Sequence, residues 1–191
     1  MRVIARFGCL MSKGEFFTRF TIWVTLAGYS VGVALLALSR KKQRLERAAR
    51  LVWTIACISL LAHAACAFHF YHEWSQDLAY RDTARQTAEV FGFNWGGGLF
   101  INYALMAGWV ADVVWWWRGL DVYRRRPRAL VAIWQGFLMF MIFNAAVVFE
   151  TGPLRFAGLF LCLALCVLWC YAAARGSHSR PDNDLETIIK D

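Results

Sequence analysis

The residues of this chain best suited to chemistry gather at the end of its second apolar stretch: His69, His72, Glu73 and Asp77. Their spacing puts all four on one face of a helix, provided the helix continues past the stretch. Two imidazoles and two carboxylates in that order can hold a divalent metal such as zinc, iron or copper, and can equally relay protons. The bland alternative is hydrogen bonding at a wet helix end. The pattern is not diagnostic, because the zinc-protease order His-Glu-x-x-His is absent and no nucleophile is paired with these histidines. His63 lies roughly 120° from His69 around a helix, so it does not join the stripe automatically. It stands as a proton-carrying or structural candidate near the middle of the second stretch.

Haem is the second cofactor to weigh. Every histidine inside an apolar stretch lies on the second one, and the remaining His178 sits in the tail. Ligation across a bundle would therefore pair a histidine with Met106, Met139 or Met141, or join two copies of the chain through His63. A divalent metal fits the pattern better, and the cofactor stays open.

Three more polar groups fall in the same half of the chain's apolar stretches. Asn102, Asn144 and Glu150 are expected at similar depth, and with His69 and His72 they can line an outward-facing polar cavity. The alternative is that the amides bond each other or a nearby carbonyl, which is worth about 0.6 kcal/mol on average. Asp112 stands apart, three residues before the Trp115–Trp117 run. Paired with Arg118, or with an arginine of the first connector, it is structural. Unpaired, it would couple protons or cations.

What must position these groups is a set of five apolar stretches at about 20–39, 51–71, 95–116, 130–149 and 156–173. Each approaches the roughly 20 residues that a helix needs to span the hydrocarbon of a bilayer. The chain is 59% hydrophobic over 191 residues, more apolar surface than a soluble domain of this size can hide. The expectation is one all-α domain: a polytopic, integral membrane bundle of five transmembrane helices in a bacterial cytoplasmic (inner) membrane.

The formal net charge of +8 does not imply nucleic acid, because the cations are concentrated in two connectors. Arg40, Lys41, Lys42, Arg44, Arg47 and Arg50 fill the first, and Arg118, Arg124, Arg125, Arg126 and Arg128 fill the third. Basic connectors belong on the cytoplasmic side, where they can also meet anionic lipid. The second connector holds Glu73, Asp77, Asp82 and Glu89 against Arg81 and Arg85, and so belongs outside. Five crossings then place the N-terminus outside and the C-terminus inside. The basic residues Arg2, Arg6, Lys13 and Arg19 dissent, and a start at Met11 would remove two of them; four crossings are the alternative. The first stretch lacks a small-x-small cleavage pattern and reads as a retained anchor.

Aromatic placement agrees with that orientation. Trp53, Trp115, Trp116, Trp117, Trp134 and Trp169 are expected near the inner interface, and Trp23, Trp74 and Trp95 near the outer one. Gly28 and Gly32 form a GxxxG pair suited to close helix packing or a dimer contact. Ala104, Gly108 and Asp112 make a second stripe of one face, and Gly96–Gly98 permit a tight turn or close contact. Cys57, Cys66, Cys162, Cys166 and Cys170 all fall in the stretches, and the last three recur every fourth residue as a small-residue packing stripe. Residues 73–91 read as an amphipathic helix on the outer surface. It buries Trp74, Leu78, Ala84, Ala88 and Phe91, and carries ion pairs Asp77–Arg81 and Arg85–Glu89. From Gly176 the tail is polar and expected to be loosely ordered in the cytoplasm.

The functional expectation is a multi-pass protein with an outer-side polar site, acting as a subunit of a larger membrane complex. The alternatives are a membrane oxidoreductase or metal-dependent enzyme using His69, His72 and Glu73, and a small proton- or cation-coupled transporter. Its partners are membrane lipid and either other membrane proteins or a second copy, not nucleic acid.

Overall fold

Threonine, serine and glycine decide how the first two helices meet. In the computed structural model, which describes residues 13–39, 42–150 and 152–177, helix α1 (Lys13–Ser39) runs antiparallel to α2 (Gln43–Tyr71). A Cβ on Gly28 would sit 2.8 Å from the Ala56 Cβ, and one on Gly32 would sit 2.9 Å from the Trp53 ring. The GxxxG pair therefore serves packing within the chain. The close approach lets α2 side chains reach α1 carbonyls: Ser59 Oγ donates to Thr21 O at 2.8 Å, and His63 Nδ1 lies 2.9 Å from Thr18 O. Lipid supplies little drive between helices, so such packing and hydrogen bonding must supply it. Most of the first basic connector is not loop but the opening turns of α2.

The remaining elements are α3 (Gln76–Phe91), α4 (Gly98–Arg118), α5 (Leu120–Arg124), α6 (Arg128–Phe143) and α7 (Pro153–Ser177). A π-helical turn, Asn144–Val148, extends α6. All described regular structure is helical. Five helices are long and apolar enough to cross a membrane: α1, α2, α4, α6 with its extension, and α7. Helix α4 packs on α2, and α7 packs on α1 and on the π turn. Helix α7 continues through Gly176, where the tail was expected to begin; the rest of that tail and residues 1–12 lie outside the described residues.

Helix α3 is defined by its caps. The Ser75 hydroxyl accepts from Leu78 N–H, and Gly92 closes the helix in the left-handed region at φ 79°, as an L side chain rarely can. Both expected ion pairs are present, Asp77–Arg81 at 2.8 Å and Arg85–Glu89 at 2.7 Å. The buried face differs from the sequence expectation. Ala79, Ala84 and Thr87 are buried while Trp74, Leu78 and Phe91 are exposed, because α3 lies close on α4 and only small residues fit between them. A Cβ on Gly96 would come within 2.5 Å of the Tyr80 carbonyl oxygen, so the link to α4 also depends on a missing side chain.

Toward the arginine-bearing end the core holds a cluster of aromatic rings. Trp53 packs against Tyr29 and Trp109 with ring centroids 5.3 Å from each, and Trp116 stacks on Tyr123 at 4.3 Å. Trp53 and Trp116, expected near the inner interface, are both fully buried within the protein. The cysteine stripe of α7 is likewise only partly a packing face, since Cys162 is buried but Cys166 and Cys170 are exposed. Ala104 is exposed too, so it does not share the buried face of Asp112.

The sharpest contact is between α7 and the π turn. A Cβ on Gly158 would lie 2.1 Å from the Ala146 carbonyl oxygen, whereas one on Gly136 would meet nothing within 4 Å. Gly158→Ala should therefore lower the thermal midpoint in detergent, by about 1–3 kcal/mol of stability. Gly136→Ala should leave it unchanged or raise it by up to about 1 kcal/mol. Equal midpoints for the two variants would contradict this packing.

Candidate functional site

The stripe expected from His69 to Asp77 does not form. Helix α2 stops at Tyr71 and the chain turns through Glu73 at φ 49° and Trp74 at φ 59°, left-handed conformations that non-glycine residues seldom adopt. Backbone bonds from Trp74 N–H to Phe68 O and from Ser75 N–H to His72 O hold the turn. Asp77 is thereby carried onto α3, where it faces Arg81. His69 and Glu73 are exposed, and His72 is half-buried with its ring edge-on to Phe68 at 5.6 Å. Among the described residues no group of three or more His, Cys, Asp and Glu side chains is placed to hold a metal ion. Helical spacing implied a common face only for an unbroken helix, and the break removes it.

At the same end of the bundle lies a cavity of about 700 Å³, walled by α1, α2, α3, α4 and α6. That is within the usual range for small-molecule sites. Asn102 and Asn144 both line it, together with His63 and His72; Glu150 and His69 do not. The wall is mostly apolar and aromatic rather than polar. Trp109 and Leu138 belong both to it and to the buried core, while Phe91, Phe93, Trp95 and Phe149 are exposed members of its wall. Helix α3 is fastened over it by Tyr103 OH, which donates to Gln76 Oε1 at 2.8 Å.

Most polar groups of the wall are already used. Asn144 Nδ2 donates to Phe140 O at 2.8 Å, a carbonyl that also accepts the Asn144 backbone N–H. This local competition accompanies the switch to π geometry, where Phe149 N–H reaches Asn144 O at 3.0 Å. Thr83, Thr87 and Thr25 each donate to a carbonyl one turn back in their own helix. The sequence reading overlooked Thr18, Thr21, Thr25 and Ser59 as the groups that seat α2 on α1. Their signal was the run of threonines at spacings of three and four along one face of the first stretch.

Asp112 sits at the opposite end, 6% exposed. It forms an ion pair with Arg126, accepts Trp53 Nε1–H at 2.9 Å and accepts Tyr123 O–H at 3.1 Å. The expected partner, Arg118, is exposed; the turn of α5 brings Arg126 instead. Arg126 also lies over the Tyr123 ring at 3.3 Å, and Arg124 pairs with the buried Glu46 of α2. Burial, then the neighbouring Asp112 charge, pushes the Tyr123 phenol well above its ordinary range, so it stays a hydrogen-bond donor. The carboxylate is thus met by one cation and two neutral donors.

Asp112→Asn should cost about 3–5 kcal/mol, because it leaves a buried guanidinium without its counter-charge. Asp77→Asn, on an exposed pair, should leave the thermal midpoint unchanged. The double variant Asp112→Asn with Arg126→Gln should lose less than the sum of the two singles; strict additivity in detergent melts would refute the pairing. No protein-family model, no curated protein and no solved structure matches this chain.

Proposed function

We propose that this chain is a five-span protein of a bacterial cytoplasmic membrane that binds an apolar or amphiphilic molecule of the bilayer in the cavity beneath α3. The observation that carries the reading is the cavity itself: about 700 Å³ with an apolar and aromatic wall that holds no Asp, Glu, Lys or Arg. Such a wall suits hydrocarbon, not an ion or a polar metabolite. Exposed Phe91, Phe93 and Trp95 on the wall suit access from lipid. Binding is the activity this wall supports.

The orientation follows from charge. Arg44, Arg47, Arg50, Arg118, Arg125 and Arg128 crowd one end, while the ions of α3 at the other end are paired among themselves. The positive-inside bias then puts the N-terminus and α3 outside and the C-terminus inside. The exposed apolar face of α7, with Phe156 and Phe160, belongs to lipid.

Two measurements test this. In a cysteine-reduced background, a membrane-impermeant maleimide on intact cells should label Ser75→Cys but not Arg125→Cys until the membrane is opened; the reverse pattern would invert the topology. A diazirine-bearing fatty probe in proteoliposomes should crosslink to wall residues such as Ala67, Met106 and Met141. The cavity-filling variant Ala64→Phe with Ala67→Phe should lose most of that labelling at an unchanged thermal midpoint. Labelling confined to lipid-facing α7, and indifferent to the variant, would sink the proposal.

A further inference from the structure

Within the cavity, one polar atom is set apart by what its ring is already doing. His63 Nδ1 lies 2.9 Å from the Thr18 carbonyl oxygen. A carbonyl only accepts, so Nδ1 carries the hydrogen. No Asp, Glu, Lys or Arg shares the wall to balance an imidazolium, and an unbalanced charge there is costly. The ring is therefore neutral, and its other nitrogen, Nε2, presents a lone pair. Nε2 has no hydrogen-bond partner among the described residues.

Most polar neighbours on the wall are already committed, and none is seen bonded to Nε2. The hydroxyls of Thr25, Thr83 and Thr87 donate to backbone carbonyls, Tyr103 donates to Gln76, and Gln86 donates to Asp82. His72, the residue that follows α2, lies nine residues on, roughly 13 Å along the helix axis. An acceptor set against a mostly apolar wall is best satisfied by a donor that an occupant brings. What completes it is a donor carried by the occupant.

We propose, resting on the reading of the cavity as an apolar binding site, that the occupant bears a hydroxyl group whose hydrogen is donated to His63 Nε2. The ligand class is an apolar alcohol or phenol: an oxygen–hydrogen donor on a hydrocarbon body, seated with the hydroxyl at His63 and the body along the aromatic wall. The Thr18 carbonyl acts through the ring, holding it in the tautomer that accepts.

The test is competition against the diazirine probe in proteoliposomes, using dodecan-1-ol, its methyl ether, a decyl hydroquinone and the matching quinone. The alcohol should displace the probe about five-fold better than the ether, the worth of one hydrogen bond. His63→Leu should bring that ratio to about one while the ether still binds. A hydroquinone stronger than both its quinone and dodecan-1-ol identifies a phenolic ligand; a hydroquinone weaker than dodecan-1-ol identifies an aliphatic alcohol. A wild-type alcohol-to-ether ratio of one, with both compounds still sensitive to Ala64→Phe/Ala67→Phe, overturns the hydroxyl and leaves the cavity standing. Insensitivity to that double variant overturns the cavity as well. Should His63→Leu fail to fold, nitrogen-15 spectra of histidine-labelled wild type decide the matter, since the chain has only four histidines. The Nε2 resonance of His63 must shift on adding the alcohol and not the ether, and no shift refutes the assignment.

Discussion

A single buried carboxylate organises one end of this bundle. Asp112 brings one negative charge into the interior from α4, and nothing about that is tolerable until the charge is met. Meeting it takes Trp53 from α2, Tyr123 from α5 and Arg126 from the segment before α6. The position of α5, a five-residue helix too short to be stable alone, follows from that demand. So does the direction in which the chain enters α6. The second pair, Glu46 with Arg124, ties the start of α2 to the same turn. Two arginines of a connector that looks merely basic are thus committed to structure, while Arg118, Arg125 and Arg128 beside them are exposed.

From there the order passes upward through rings. Tyr123 stacks on Trp116, Trp116 meets Trp53 edge-on at 6.4 Å, and Trp53 packs on Trp109. Trp109 is also part of the cavity wall. A rigid aromatic column therefore connects the ion pair to the cavity. The opposite end has no such anchor. Helix α3 is held by small residues, one tyrosine–glutamine bond and its own caps. Fewer buried apolar contacts mean lower local stability at this end.

Much of this was legible in the sequence and some was not, for definite reasons. Length and apolarity mark the five long helices because the bilayer sets both. Local pairs such as Asp77–Arg81 are readable because a helix fixes the distance between residues four apart. Gly28 and Gly32 are readable because only glycine allows helices so close. The break after Tyr71 is not, since neither glycine nor proline marks it and Glu73 and Trp74 take left-handed conformations against their own preference. That one break dissolved the stripe from His69 to Asp77. Asp112 was identifiable as costly from its type and place alone. Its partner was not, because the choice of Arg126 over Arg118 depends on a turn whose geometry the carboxylate itself imposes.

The same reasoning separates polar groups that satisfy themselves within their own helix from one that does not. Threonine and serine solve their own problem by donating to the carbonyl a turn back, as Thr25 and Thr87 do, and Asn144 does likewise at the cost of a π turn. Each has enough donors to close its account locally. Histidine does not: its two nitrogens point apart, and a neighbour that satisfies one leaves the other aimed elsewhere. His63 satisfies Nδ1 on α1 and, for that reason, must hold Nε2 away from it. In a helix facing lipid the second nitrogen would be a simple liability. In a wall that also holds Leu60, Ala64 and Met106 around open volume, the same nitrogen lies where a donor from an occupant could meet it.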